Sequence, residues 1–359
     1  MKIVFHERLR ALRLRLKEEG VDAVLLLEPL AIRHVLGREA EADRVLITRK
    51  RVVWFEDARG VPVRDPDLAV QPLQNFATYL RSKLTKGMVV AIASETTTIV
   101  QLEAVRSLFR GTGTRVRPIA ALLRDSRALK SEAEIRDHER AATIADEALA
   151  VARRKAAVGM TEAQVARLID NEMYERGAER PAFDTIVAFS EQAATPHHVV
   201  SRARTLRKTD LVLVDMGAVY NGAHSDMSRT FLPDRATQEQ RAAWEAVVQS
   251  QAAGVKTVSA GIEAGQVDEV CRRVLRERDL EDLFTHATGH GVGLEIHEYP
   301  TVSNDSPHVL QRGMIVTVEP GVYVPKKFGV RIEDMLLVTA SGSRVLTRTP
   351  IRPEPFLLR

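Results

Sequence analysis

Four carboxylates and one imidazole in the second half of this 359-residue chain each lie in a distinctive local frame. Asp215 lies in V-D-M-G-A, Asp226 in H-S-D-M-S-R-T, His290 in T-G-H-G-V-G, Glu319 in V-E-P-G and Glu333 in R-I-E-D. Four acids gather in an interior only where positive charge holds them together. A fold that brings these residues to one place therefore needs cations there, and two divalent metal ions would supply the charge.

The first two acids flank a turn signal. Asp215 and Asp226 lie on either side of an Asn-Gly pair at 221–222, between two strand-like runs. Folding the chain about this turn places the two aspartates nearly opposite each other on adjacent strands. The apolar run 211–214 before Asp215 predicts buried surroundings, so an ordinary surface salt bridge explains this acid poorly.

The other two acids repeat the arrangement. Glu319 and Glu333 flank a Pro-Lys-Lys turn at 325–327, with Gly329 able to relax the turn, and Glu319 follows the apolar run 315–318. The sequence therefore predicts two hairpins that each present a carboxylate pair. If both hairpins belong to one curved sheet, all four carboxylates face one pocket.

Histidines are concentrated near these acids, because seven of the ten lie between 197 and 308. Three of the seven lie in the glycine-rich segment 286–298, and His197 and His198 follow a proline. The glycines that flank the histidine at 290 permit a tight backbone near a ligand. A single histidine is more often structural than catalytic, and that interpretation applies equally to His224, His286 and His308.

Composition narrows the class of protein. The formal charge is +4 and the Lys and Arg residues are scattered, which argues against nucleic-acid binding. One cysteine, Cys271, leaves no internal disulfide framework and suits a reducing compartment. The N-terminus lacks the apolar core of a signal peptide, and no run of 18 apolar residues occurs. We therefore expect no membrane span and a cytoplasmic location.

The chain divides into two parts. Residues 1–124 alternate strand-like and helical patterns, which predicts a sheet with helices packed on it. A capping box, Ser131 with Glu134, then opens a long helix over about 132–156. We place the domain boundary before this helix and expect a second domain over 125–359, in which further helices and strands alternate.

At this point an ordered set of motifs resembles the pita-bread metallopeptidases, and within them the proline-specific branch, Xaa-Pro dipeptidase (prolidase) and aminopeptidase P. The set is P-A-F-D-T-I-V, P-H-H, D-M-G-A, S-D-M-S-R-T-F, G-H-G-V-G-L-E-I-H-E, V-E-P-G-V-Y-V-P and G-V-R-I-E-D, all in the family's order. The resemblance implies a creatinase-like α/β N-terminal domain over 1–124. It also implies an α+β pita-bread (creatinase/aminopeptidase-like) catalytic domain with a curved antiparallel sheet over 125–359.

The resemblance implies a dinuclear metal centre. Its ligands would be Asp215, Asp226, His290, Glu319 and Glu333, with Asp226 and Glu333 bridging the two ions. A site rich in oxygen ligands with one imidazole favours harder ions, so manganese is the first expectation, with cobalt and zinc as alternatives. A water between the metals would have a lowered pKa and attack the peptide bond.

The same resemblance assigns roles to the remaining site residues. Glu319 would carry the proton from the attacking water to the leaving proline nitrogen. His197 would support the oxyanion, His297 would position the substrate, and Arg331 would orient the metal ligands. The pocket for proline would be lined by Phe183, His286 and Tyr323.

The length of the peptide substrate is harder to predict. A strict dipeptidase must bind the free carboxylate of the substrate's proline, which needs a cation or a hydrogen-bond donor. Prolidases of this kind often carry Arg after the H-E-x-P element, but here the next residue is Thr301. The cation could instead be Arg38 or Arg44 of the N-terminal domain. The compact catalytic domain favours prolidase, with aminopeptidase P acting on longer peptides as the alternative.

Other classes fit the sequence less well. A creatinase-like hydrolase lacks the metal ligands that this chain has, and a methionine aminopeptidase normally lacks a preceding domain of this size. A non-catalytic binding module on the same fold is a remote alternative, because such relatives usually lose ligands. The resemblance further implies a homodimer whose substrates are proline-containing di- or oligopeptides.

Overall fold

The protein forms two compact units in a computed structural model that describes residues 2–37, 43–57 and 68–358. The units are Met1–Arg127 and Ala128–Arg359. The division thus falls between residues 127 and 128, whereas the sequence analysis placed it between 124 and 125. Among the described helices, none is both long and apolar enough to cross a lipid bilayer.

The first unit is built on a six-stranded mixed sheet. Its strands are β1 (Ala23–Leu26), β2 (Arg44–Thr48), β3 (Val52–Glu56), β4 (Ala69–Pro72), β5 (Val89–Ala93) and β6 (Arg115–Ile119). Their spatial order is β4-β3-β2-β1-β5-β6, in which β2 is antiparallel to β1 and β3 and the other pairs are parallel. The helices are α1 (Lys2–Glu18), α2 (Pro29–Leu36), α3 (Phe76–Lys83), α4 (Ile99–Leu108) and α5 (Arg124–Ala128).

Both faces of this sheet are covered, as the apolar β1 sequence requires. Val24 and Leu26 pack into one buried cluster, and Ala23 and Leu25 pack into another on the opposite face. Side chains alternate between the faces of a strand, so a run that is apolar throughout must be buried on both.

The second unit combines helices with short antiparallel strands. Its helices are α6 (Glu132–Lys155), α7 (Glu162–Glu175), α8 (Gln238–Thr257) and α9 (Ala264–Arg276). The first group of strands is β7 (Arg180–Pro181), β8 (Ile186–Phe189), β9 (Val212–Met216), β10 (Ala218–Tyr220), β11 (Ala223–His224) and β12 (Met227–Phe231). The second group is β13 (Gly289–Gly291), β14 (Glu298–Val302), β15 (Ile315–Val318), β16 (Gly321–Val324), β17 (Phe328–Arg331), β18 (Asp334–Thr339) and β19 (Gly342–Val345).

These strands form four antiparallel ladders, ordered β11-β10-β7, β12-β9-β8, β14-β13-β15-β18-β19 and β16-β17. Helix α6 begins at the predicted capping box, in which the Ser131 hydroxyl and the Glu134 side chain each bind the other residue's backbone. Its buried face is rich in alanine, which lets the helix pack closely on α7 and on strands β10 and β11. The candidate site is formed by residues that lie on or next to strands β9, β12, β13, β15 and β17.

Candidate metal centre and active site

The first acid pair lies on the antiparallel strands β9 and β12. Ser228 is the residue directly opposite Asp215, and Asp226 lies two residues before Ser228. Residues two apart on a strand share a face, so Asp226 is a diagonal neighbour of Asp215 on the same side. Gly217 allows the hairpin to close, because a Cβ atom there would lie 1.9 Å from the carbonyl oxygen of Ser225.

The second acid pair lies between two ladders that share one register. Val318 is opposite Asp334 in β15–β18, and Gly321 is opposite Arg331 in β16–β17. Continuing this register places Glu319 directly opposite Glu333. The turn at 325–327 does join β16 to β17, but its positive φ, 61°, belongs to Lys326, whereas Gly329 is a residue of β17.

A backbone hydrogen bond brings the two pairs together. The Glu333 N–H donates to the carbonyl oxygen of Ser228 over 3.0 Å, which connects β12 to the second hairpin. The four acids therefore converge although the two hairpins belong to separate ladders.

His290 reaches the acids from β13. Its Nε2 lies 3.3 Å from Oε1 of Glu319 and 3.5 Å from Oδ2 of Asp226. Its Nδ1 lies 3.1 Å from the carbonyl oxygen of Gly291, where an N–H on Nδ1 donates. That bond leaves Nε2 as the nitrogen available to a metal ion.

The donor atoms fit a metal centre. One ligand atom each from Asp226, His290 and Glu333 lies within 4.8 Å of the other two. Within the described part of the chain, Oδ1 of Asp215 and Oε1 of Glu333 are buried without a hydrogen-bond partner. A buried carboxylate oxygen without a partner is costly, and a coordinated cation removes that cost.

The acids also repel one another. Burial and the charge of Asp215 raise the pKa of Asp226 well above its ordinary value, and burial and the charge of Asp226 do the same for Glu333. Burial raises the pKa of Asp215 as well, although the Arg331 guanidinium opposes the rise. The cluster therefore needs more positive charge than the chain supplies.

His290 and Glu319 behave as a pair. Burial favours the neutral forms of both, but their mutual hydrogen bond and charge outweigh it. The pKa of His290 is raised to about 9 and that of Glu319 is lowered. A metal ion on Nε2 would displace the proton and take over its electrostatic role.

Arg331 connects the metal ligands to their surroundings. Its Nη2 donates to Oδ2 of Asp215 over 2.6 Å and its Nε donates to Oγ of Ser228 over 2.8 Å. Its Nη1 donates to the Tyr323 hydroxyl and to the carbonyl oxygen of Pro196 over 2.8 and 3.2 Å. Arg331 is only 2% exposed, and its guanidinium is held directly against Asp215.

The acids open into a cavity of about 720 Å³. All five predicted metal ligands line it, and so do five other predicted site residues: Phe183, His197, His286, His297 and Arg331. It is also lined by residues that the sequence analysis did not assign to the site, among them Asp184, Ile186, Ile296, Glu298 and Tyr299.

Two of the predicted histidines contact other site residues. The ring of His297 lies 4.3 Å from that of His290, in an edge-to-face arrangement. Burial and the charge of His290 lower the pKa of His297, which favours its neutral form. Burial also lowers the pKa of His286, whose Nε2 lies 2.8 Å from the Tyr323 hydroxyl.

Of the other predicted substrate-binding residues, the structure describes Tyr323 and Arg44 but not Arg38. Tyr323 is not among the described residues that line the cavity, and its hydroxyl is bonded to Arg331 and His286, which do line it. Arg44 belongs to β2 of the first unit, where its Nη1 donates to the carbonyl oxygen of Asp43. Arg38 lies outside the described residues.

Sequence reasoning missed Ser228. This residue is fully buried, and its hydroxyl donates to Oε2 of Glu333 over 2.8 Å while it accepts from Arg331. Its position two residues after Asp226 was a signal, because residues two apart on a strand face the same side.

Comparisons with known proteins agree with this site. The profile of metallopeptidase family M24 matches residues 136–340. Over 228 residues the chain is 42% identical to a Xaa-Pro dipeptidase of Pyrococcus horikoshii, an alignment that covers 64% of this chain and 65% of that relative. It thus spans just under two thirds of the relative's length.

Solved structures match over nearly the whole chain. A Xaa-Pro dipeptidase from Bacillus anthracis has a TM-score of 0.90 at 30% identity, and the match covers 98% of this chain and 99% of that one. An X-Pro aminopeptidase from Thermotoga maritima has a TM-score of 0.86 at 27% identity, with 94% and 98% covered. The predicted pita-bread fold and the resemblance to its proline-specific members are confirmed. This chain belongs to metallopeptidase family M24.

Proposed function

We propose that this chain is a metal-dependent hydrolase that cleaves the Xaa-Pro bond of peptides as a Xaa-Pro dipeptidase. The observation that carries the proposal is that two buried carboxylate oxygens, on Asp215 and Glu333, have no hydrogen-bond partner among the described residues, in a cavity that His290 also lines. The names of the similar proteins support proline-containing peptides as substrates.

The residues that would hold two divalent cations are the five that converge: Asp215, Asp226, His290, Glu319 and Glu333. Asp226 and Glu333 would be shared between the two ions. Their carboxylates are the most buried of the four, and their pKa values are the most strongly raised. When bound, the cations would polarise the substrate carbonyl and activate water near neutral pH. The oxygen-rich ligand set favours manganese, with cobalt next and zinc as the remaining alternative.

Glu319 would transfer the proton. As an ionised carboxylate it can accept a proton from the attacking water. The water oxygen bonds to the carbonyl carbon of Xaa, and the bond from that carbon to the proline nitrogen then breaks. The leaving nitrogen takes the proton from Glu319, and the Thr317 hydroxyl, which donates to Oε1 over 3.2 Å, holds the carboxylate in place.

The histidines would act on the substrate. His197 is exposed to the cavity and would donate to the oxyanion, and His297, beside His290, would hold the peptide in position. Phe183 and His286 would bound the proline ring. Tyr323 would contribute by orienting Arg331 and His286, since its hydroxyl is bonded to both.

One observation favours a second candidate, aminopeptidase P. Arg331 is the only Lys or Arg among the described residues that line the cavity, and it is already bonded to Asp215, Ser228, Tyr323 and Pro196. A dipeptide's carboxylate needs a cationic or strong donor partner. The described lining offers no unengaged guanidinium or ammonium for it, which favours longer peptides unless Arg38 or Arg44 binds the carboxylate.

A substrate comparison tests both candidates. The ratio kcat/KM is measured for Ala-Pro, Ala-Pro-Ala and the control Ala-Ala with manganese present. Faster cleavage of Ala-Pro supports the dipeptidase, preference for Ala-Pro-Ala moves the assignment to aminopeptidase P, and cleavage of Ala-Ala alone refutes both. If Arg38 or Arg44 binds the carboxylate, its replacement by Ala depresses dipeptide cleavage far more than tripeptide cleavage.

The proposed function includes an oligomeric state and a cellular location. We expect a homodimer, which sedimentation velocity would detect as a species of twice the 39.9 kDa chain mass. The single, buried Cys271 suits a reducing compartment, so we expect a cytoplasmic location, which cell fractionation would check.

A further inference from the structure

Glu162 is a fully buried carboxylate outside the metal centre. It is the first residue of α7, follows the N-cap Thr161, and is 0% exposed. Its Oε1 accepts from the Phe189 N–H over 2.8 Å. Its Oε2 accepts from the Ser201 N–H over 2.8 Å and from Nε2 of His198 over 2.7 Å. These donors, together with the positive end of the helix dipole, offset the cost of burying the charge.

The donors to Glu162 lie at the two ends of one segment. Phe189 ends strand β8, a 3-10 helix then covers Ser190–Ala194, and residues 195–200 before Ser201 form no helix or strand. The carboxylate therefore ties together the two ends of residues 190–200. A backbone bond from the Ala163 N–H to the carbonyl oxygen of Ser201 reinforces the closure. The segment is therefore a closed loop that begins with a 3-10 helix packed on β17, and its residues 195–200 are half-buried or exposed.

This loop carries His197 into the cavity. His197 is exposed, and within the described part of the chain its ring makes no hydrogen bond. Its two sequence neighbours, in contrast, are both held by buried charged groups. The Pro196 carbonyl oxygen accepts from Arg331, and the His198 ring binds Glu162.

We propose that Glu162 and His198 form a clamp that positions His197 over the metal centre, an inference that rests on the role proposed for His197. On the other side, the bond from Arg331 to Pro196 ties the loop to the same guanidinium that binds Asp215. His198 does not contact the substrate in this proposal; it acts through His197 and is a positioning residue.

Three single variants test the clamp. His198→Ala removes one of the three donors to Glu162 and leaves the two backbone donors, so the chain still folds. His198→Gln keeps a donor at the place of Nε2. Val199→Ala is the matched control, because Val199 is the next residue of the same loop and is 85% exposed.

The kinetic expectation is specific. His198→Ala lowers kcat about 10- to 100-fold with little change in KM, because a displaced His197 loses contact mainly with the transition state. His198→Gln recovers most of the loss, and Val199→Ala is unchanged. In a His197→Ala background, His198→Ala has no further effect, since residues that act as one unit are not additive. Losses that multiply in the double variant would overturn the proposal.

Hydrogen exchange gives a readout that does not depend on activity. Deuterium uptake in residues 190–201 should be faster in His198→Ala than in the wild type, and unchanged in Val199→Ala. Unchanged uptake in His198→Ala would overturn the clamp even if the enzyme cleaves Xaa-Pro peptides. A wild type that cleaves no Xaa-Pro peptide would instead refute the proposed function, and the exchange result would still decide the clamp.

Discussion

Ser228 offers a way to weaken the proposed metal centre without touching a ligand. Its hydroxyl is fully buried, donates to Oε2 of Glu333 and accepts from Nε of Arg331, both over 2.8 Å. Ser228→Ala deletes one oxygen atom and leaves both charged groups one hydrogen bond short. Glu333 can then rotate, and Arg331 holds Asp215 less firmly.

The size of the effect follows from these two bonds. A hydrogen bond to a charged group contributes about 1.5–3 kcal/mol to stability, and both lost bonds are of this kind. Part of this lost free energy lowers the stability of the fold, and part weakens the orientation of the metal ligands. Loss of an orienting partner typically weakens metal affinity about 10- to 100-fold. In free energy this is about 1.4 to 2.7 kcal/mol.

Ser250→Ala is the matched control. Ser250 is also 0% exposed, but its hydroxyl donates to the carbonyl oxygen of Cys271 over 2.9 Å and makes no contact with the metal ligands. Manganese Kd is measured for both variants by competition with a chelating indicator, and stability by urea unfolding. We expect Ser250→Ala to lose about 1 kcal/mol of stability with unchanged Kd. Equal Kd values for Ser228→Ala and the wild type would show that the Ser228 hydroxyl does not orient the metal ligands.

Two further predictions concern the surroundings of the site. Burial, followed by the charge of Lys130, lowers the pKa of His138 from its ordinary 6.5 to about 4. Below pH 6.5 the unfolded chain takes up a proton that the folded chain refuses, so the wild type loses about 3 kcal/mol of stability between pH 6.5 and 4. His138→Gln should lack this loss, and a difference in unfolding free energy between the two proteins that is constant with pH would contradict the prediction. Tyr323→Phe should lower the unfolding free energy by about 1–3 kcal/mol, because its hydroxyl accepts from Arg331 and donates to His286. The Tyr323→Phe variant should bind as much metal as the wild type. If it unfolds at the same urea concentration as the wild type, the hydrogen bonds of the Tyr323 hydroxyl to Arg331 and His286 do not stabilise the fold.

The acid pairs could be predicted because their geometry is local. An Asn-Gly turn sets the register of the strands around it, and the even spacing of strand residues then decides which side chains share a face. Asp215 with Asp226, and Glu319 with Glu333, accordingly lie within or beside paired strands. The long helix that begins at the capping box of Ser131 was predictable for the same reason.

Contacts between distant segments could not be predicted. The two hairpins are connected by the backbone hydrogen bond from Glu333 to Ser228. These residues are 105 positions apart in the sequence, and no local sequence pattern relates the two segments. Tyr323 lies in the predicted second hairpin, but among the described residues it does not line the cavity, and its hydroxyl bonds to Arg331 and His286 instead. These positions follow from the packing of several ladders at once.

The dependence of Xaa-Pro cleavage on bound metal is the decisive property of the proposed enzyme. Metal-free wild type and Asp226→Ala are titrated with manganese, while Ala-Pro hydrolysis, bound metal and circular dichroism are recorded. We expect no hydrolysis in the metal-free wild type and a rate that rises until two ions are bound per chain. We expect a folded Asp226→Ala protein that neither holds two ions nor cleaves Ala-Pro. Full hydrolysis of Ala-Pro by metal-free Asp226→Ala would contradict this dependence.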